Sequence, residues 1–204
     1  MKKNKIGVAV LVSGGGTNLQ AIIDASDAGK LPSCEIRCVI SSKPDAYALT
    51  RAANAGIPGY SVSRKELGQT GFENRIRELI KKHDAEVIVL AGFLSILSAD
   101  FTRAYPERII NVHPALIPSF CGMGMYGLKV HESALAYGVK VTGATVHFVN
   151  EIPDGGKIIM QKAVAVHEGD TPEKLQKRVM RQAEWKILPA ALEKVCNNIL
   201  KERG

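Results

Sequence analysis

The sequence predicts an α/β protein, a three-layer doubly wound sheet that is mostly parallel with an antiparallel part in the C-terminal half. Three observations carry this expectation. Short runs rich in β-branched residues recur through the first half, with helical stretches between them. These runs are apolar throughout rather than alternating, as in strands covered by helices on both faces. In the second half, two strand-like runs are separated by a Pro-Asp-Gly turn, the signal of a hairpin.

Taken in order, KIGVAVLVS (5–13) reads as the first strand and leads through three glycines into a helix from 17 to about 28. EIRCVIS (35–41) precedes a helix over 46–55, and a short strand near 59–62 precedes the amphipathic FENRIRELIKKH (72–83). EVIVLAG (86–92) is followed by a helix near 98–105 and then by RIINVH (108–113). A helix near 129–137 leads into TGATVHFVN (142–150), and KIIMQKAVAV (157–166) lies beyond the turn EIPDGG. Thr171 or Asp170 is expected to cap a long C-terminal helix with an apolar stripe at Leu175, Val179, Leu188, Leu192, Val195 and Ile199. Pro189 should kink that helix or split it.

The 204 residues show no repeats, low-complexity tracts or linkers, so a single domain over 1–204 is the economical expectation. Hydrophobic residues make up 46% and charged residues 23%, ordinary values for a globular chain. The basic start imitates a secretory leader, but its apolar run soon meets glycines instead of a small-residue cleavage site. No run approaches the roughly 18 apolar residues of a membrane span, so a cytoplasmic protein is expected. Cys34, Cys38, Cys121 and Cys196 show no C-x-x-C spacing and read as reduced thiols. The net charge of +7 comes from dispersed Lys and Arg without an aromatic-rich motif. It fits small anionic substrates better than nucleic acid.

Two stretches carry chemistry. In VSGGGTNLQAI, Ser13-Gly14-Gly15-Gly16-Thr17-Asn18 sits where a strand turns into a helix. Glycines there let the backbone approach a ligand, and free N–H groups at the helix start favour an anion. A tight turn with Thr17 as cap explains one glycine easily and three poorly. Leu19 stands where a dinucleotide fingerprint needs its third glycine, and no acidic residue ends the second strand. A lone phosphate monoester therefore fits best.

The second stretch is IINVHPALIPSF. Asn111 and His113 alternate along a strand, so both point to one face, at the end where open α/β sheets place ligands. A lone histidine there would read as a core residue. The adjacent Asn and the turn carboxylate Asp154 point instead to donors and a proton carrier. His131-Glu132 lacks the second His of a zinc motif, so no metal is implied. Without a nucleophile elbow, the set suits direct acyl transfer between two substrates.

LVSGGGTNLQAI, VIVLAGFLSIL, IINVHPALIPSF, TGATVHFVNEIPDGG and QAEWKILP occur in that order. Together they resemble the phosphoribosylglycinamide formyltransferase family, from about Lys5 to Leu192. The resemblance implies a Rossmann-like domain of the formyltransferase fold. It implies transfer of formyl from the cosubstrate 10-formyltetrahydrofolate to the amine of glycinamide ribonucleotide, by a monomer or homodimer. Matched by motif, Asn111, His113 and Asp154 would be catalytic, and Gly16, Thr17 and Asn18 would hold the substrate phosphate. Glu184 would hold the glycinamide end. Leu94, Ser95, Ile96 and Leu97 fall on a folate-binding segment, and Asn150, Glu151, Ile152, Pro153 and Asp154 on a second one, with Asn111 also near the folate. Ser95 stands where many relatives have Arg, and Gln69 and Thr70 lie where an Arg that assists the folate would precede the third helix. Imidazolium at His113 would be favoured by Asp154. SFCGMGMYG (119–127) receives no role. Two relatives of the same fold, methionyl-tRNA formyltransferase and formyltetrahydrofolate hydrolase, resemble chains with a further domain, for which 204 residues are expected to leave no room. A phosphate-ligand binding module would need the glycine loop but not the Asn–His–Asp set.

Overall fold

A computed structural model of the chain describes residues 5–203. The strands are β1 (Ile6–Val12), β2 (Cys34–Ser41), β3 (Gly59–Ser61), β4 (Val87–Leu90), β5 (Ile109–His113), β6 (Val141–Phe148) and β7 (Ile158–Ala165). The helices are α1 (Thr17–Asp27), α2 (Tyr47–Asn54), α3 (Arg64–Lys82), α4 (Ala99–Arg103), α5 (Leu128–Tyr137), α6 (Pro172–Val179) and α7 (Trp185–Glu202). The strands form one sheet in the order β3-β2-β1-β4-β5-β6-β7. β1 to β5 pair in parallel, whereas β6 runs antiparallel to β5 and β7 antiparallel to β6.

Helices cover both faces because every residue of β1 is apolar or glycine and successive side chains point opposite ways. Val8, Val10 and Val12 pack with Ile22 of α1 and Leu188 and Leu192 of α7. Ala9 and Leu11 pack with Phe72, Ile76 and Leu79 of α3 and Phe101 of α4. Burying each such Leu, Ile or Phe contributes about 1.5–3 kcal/mol. The chain leaves β1 toward β2 and β3, then returns to β4 on the other side of β1. A crevice therefore opens between the C-terminal ends of β1 and β4, where the winding reverses.

Two helices differ from expectation. α3 begins at Arg64 instead of residue 72, with the Ser63 hydroxyl accepting from the Glu66 N–H and a break at Gly68 (φ 66°). Its polar first turns bury little, so no apolar period announces them. The C-terminal helix is capped by Thr171, whose hydroxyl accepts from the Lys174 N–H, while Asp170 pairs with Arg178. That helix is interrupted, but not at Pro189, which lies inside α7. The irregularity is a π turn at Met180–Glu184, where the Trp185 N–H reaches back five residues to the Met180 carbonyl. Proline lacks an N–H and crowds the carbonyl four residues back, here that of Trp185, so the widened turn ends where the crowding begins.

Candidate active site

The C-terminal ends of the central strands open onto a cleft of about 710 Å³ lined by Asn18, Leu94, Asn111, His113, Asp154 and Glu184. It lies at the reversal point of the sheet. A bond from the Leu94 N–H to Ser13 Oγ (2.9 Å) ties the segment after β4 to the loop after β1.

β5 delivers Asn111 and His113, and antiparallel β6 returns beside it with His147 directly opposite Asn111. Asn111 Nδ2 lies 3.2 Å from His147 Nε2. Asp154 reaches back from the loop after β6, with one carboxylate oxygen 3.5 Å from His113 Nδ1 and the other 3.5 Å from His147 Nε2. Its backbone is left-handed (φ 56°), a conformation that Asp adopts more readily than most residues. The turn folds tightly onto β6: a Cβ on Gly156 would stand 1.8 Å from the Phe148 carbonyl oxygen.

The hydrogen bonds settle the tautomers. His113 Nε2 lies 2.8 Å from the Phe120 carbonyl and His147 Nδ1 2.8 Å from the Phe148 carbonyl. A carbonyl only accepts, so each of those nitrogens carries a proton. In the neutral rings the nitrogens facing Asp154 are therefore lone pairs. Asn111 donates one N–H to His147 and keeps its second N–H and its carbonyl. A proton added at His113 Nδ1 would face the Asp154 carboxylate oxygen 3.5 Å away.

Burial pushes His113 below its ordinary pKa; Asp154 and the Phe120 carbonyl oppose this without reversing it. An imidazolium at neutral pH, expected from the sequence, is thus not favoured: desolvation outweighs the carboxylate. Burial alone would raise Asp154, but the adjacent His147 ring, the Gly122 N–H and the nearby His113 ring hold it below the usual carboxylate range.

Asn18, at the start of α1, donates from Nδ2 to Glu184 Oε2 at 2.7 Å. Burial raises the Glu184 pKa, and the Asn18 bond offsets part of the rise. The π turn faces both Met180 and Glu184 into the cleft. Gly16 is left-handed (φ 70°) and precedes α1 as its N-cap residue. Thr17 lies instead in a separate groove of about 730 Å³ along α1 and α7.

Of the LSIL segment, Leu94, Ser95 and Ile96 line the cleft, but Leu97 turns into the core beside α3. The segment is braced by Glu73, a buried carboxylate accepting from the Ser98 N–H and hydroxyl at 2.6 Å each. Gln69 adds a bond to the Ile96 carbonyl. Of the second loop, Pro153 and Asp154 reach the cleft, whereas Asn150 caps its own turn by accepting from the Ile152 N–H, and Glu151 and Ile152 are exposed.

Three features escaped the sequence. His147 sits in a strand of apolar character, and only its register against Asn111 reveals it. The 119–127 loop contributes the Phe120 carbonyl that holds His113 and the Gly122 N–H that holds Asp154 (2.9 Å). His131 is fully buried at the cleft wall, with no partner for either ring nitrogen among the described residues, and burial lowers its pKa to about 4.

Residues 6–192 match the family described as formyl transferase. This chain belongs to that family. Within it, the chain is 40% identical to the phosphoribosylglycinamide formyltransferase of Haemophilus influenzae, over 91% of this chain and 85% of that one. It is 42% identical to the trifunctional purine biosynthetic protein adenosine-3 of Gallus gallus, spanning 98% of this chain but 19% of that longer protein. The crystal structure of glycinamide ribonucleotide transformylase 1 from Symbiobacterium toebii matches with a TM-score of 0.88 at 38% identity, covering 95% of this chain and 89% of that one. The formyl transferase fold is thus shared nearly end to end. No helix among the described residues is long and apolar enough to cross a membrane.

Proposed function

We propose that this formyl transferase, as a single domain, moves the formyl group of 10-formyltetrahydrofolate onto the amine of glycinamide ribonucleotide, a step of purine (IMP) synthesis. The observation that carries the reading is the convergence of Asn111, His113 and Asp154 in the one cleft that also holds Asn18 and Glu184. The amides around Gly16, Thr17 and Asn18 bind the ribonucleotide phosphate, and Glu184 accepts from the glycinamide end. The cleft-facing Leu94, Ser95 and Ile96, with the turn through Pro153, receive the pterin end of the folate.

The amine nitrogen bonds to the formyl carbon, and negative charge moves onto the formyl oxygen. Asn111 stabilises it with its second N–H; one such donor contributes on the order of 3 kcal/mol in a dry site. The amine proton passes to His113 Nδ1 beside Asp154. The C–N10 bond then breaks, the folate nitrogen takes that proton from His113 Nδ1, and tetrahydrofolate leaves with the ring neutral again. Four free cysteines suit a reducing, cytoplasmic compartment.

The test is a spectrophotometric assay of folate deformylation with and without glycinamide ribonucleotide. Turnover only with the ribonucleotide is expected. Turnover without it would make the protein a hydrolase, and none with it a binding module.

A further inference from the structure

All three carbonyls of the glycine loop are engaged. That of Gly14 accepts from the Ala48 N–H (3.1 Å), that of Gly15 from Arg51 Nε (2.8 Å) and that of Gly16 from the Gln20 N–H (2.9 Å). The last is the opening bond of α1. The first two donors both belong to α2, an element that supplies nothing to the cleft wall.

Their effect follows from peptide geometry. In a trans peptide, an N–H points opposite to the carbonyl of the preceding residue. Drawing the Gly14 and Gly15 carbonyls toward α2 therefore turns the Gly15 and Gly16 N–H groups away from it. With the free amides of the first turn of α1, these are the donors an anion would use. Nothing in three consecutive glycines would otherwise hold that arrangement, because glycine crosses readily between negative and positive φ. A flipped Gly15–Gly16 peptide would present a carbonyl dipole to the phosphate in place of an N–H.

Arg51 is itself held in place. Its Nη1 donates to Gln20 Oε1 at 2.9 Å, and its guanidinium lies 5.0 Å from the centre of the Tyr47 ring. The loop is pressed against the same helix: a Cβ on Gly16 would stand 2.6 Å from the Cβ of Ala48. We propose that Arg51 is a positioning residue, which from outside the cleft locks the Gly15–Gly16 peptide with its N–H toward the substrate phosphate. The proposal rests on the reading that this loop holds that phosphate.

The experiment is calorimetric titration of wild type, Arg51→Met and Arg51→Lys with the ribonucleotide and with its 5′-dephosphorylated riboside. Wild type is expected to prefer the ribonucleotide strongly. Arg51→Met should bind it about tenfold or more weakly, the loss of one charge-assisted hydrogen bond. Its affinity for the riboside, its KM for the folate and its kcat at saturation should be unchanged. Arg51→Lys, which can replace one of the two donors, should fall between. In ¹⁵N-resolved spectra the Gly15 and Gly16 amide protons should move downfield on binding the ribonucleotide in wild type and stay in place in Arg51→Met.

Equal binding of ribonucleotide and riboside by wild type would overturn the phosphate reading and this proposal with it. Discrimination in wild type that survives intact in Arg51→Met would overturn the role of Arg51 alone. So would a loss of affinity for both ligands alike, which would mark Arg51 as a general structural residue.

Discussion

Replacing Asp154 with Asn removes the negative charge between two imidazoles while keeping the shape of the side chain. Asn tolerates the left-handed backbone found there (φ 56°) and can still accept from the Gly122 N–H. His113 Nδ1 lies 3.5 Å from the carboxylate, and the Asp154 side chain is only 14% exposed. At that separation and an effective dielectric near 20, a carboxylate and an imidazolium attract by about 5 kcal/mol, a ceiling on the coupling. Burial is the larger influence on His113 and places its pKa below the ordinary value; Asp154 works against it. Deleting the charge must therefore lower the His113 pKa further. The proposed capture of the amine proton by His113 needs the neutral ring, so the acid limb of the rate profile should follow the His113 pKa and lie below the ordinary imidazole range. In Asp154→Asn that limb should move to still lower pH. The plateau should drop by about 100-fold, because a less basic His113 takes the amine proton less readily. A pH–rate profile gives both quantities, and NMR titration of the His113 ring assigns the limb. An acid limb or a His113 pKa that stays or rises, in a folded variant, refutes the coupling.

Asn111→Ala should lower kcat by roughly 10²–10³ with little change in either KM. It should also cost about 1–3 kcal/mol in a denaturant melt, because buried His147 loses a partner; turnover near wild type would leave Asn111 as a sheet residue only. Glu73→Ala removes the acceptor of both Ser98 donors and should destabilise by about 3 kcal/mol, with a raised KM for the folate as the 94–96 segment loosens. An unchanged folate KM would separate that brace from binding. Gly156→Ala places a methyl group 1.8 Å from the Phe148 oxygen and should lower stability by about 1–3 kcal/mol in a thermal melt. Full stability would mean that the turn can move aside.

The parallel half of the sheet was legible because its strands are buried on both faces and therefore continuously apolar, as in VIVL of β4. Asn111 and His113 stood out as polar residues ending such a run, and Asp154 as the carboxylate of a glycine turn. What stayed hidden depends on contacts between distant segments. Nothing local in β6 distinguishes His147 from a packed histidine; its meaning comes from the strand beside it. Leu97 continues a cleft-lining segment in sequence but enters the core, since the chain turns into α4. The balance at His113 depends on how much water the fold removes, a quantity that no motif carries. The early start of α3 was missed because RKELGQTG has no apolar period to read.

The π turn solves a problem of phase. Leu175, Val179, Ala183 and Ile187 are each four residues apart, and all belong to one face of the core. In an ideal α-helix each step of four overshoots a full turn by about 40°, so three steps would carry the last of them well around the cylinder. One wider turn takes up that drift and keeps the row straight. The same slack lets Met180 and Glu184 lean out over the cleft. Deleting a single residue from 180–184 would restore an ordinary helix and leave α6 and α7 nearly in phase, because eleven residues of α-helix complete three turns to within about 20°. Both stripes would stay on the sheet, and the loss would fall on the widened turn that carries Met180 and Glu184 to the cleft, so the extra residue serves the cleft and not the core.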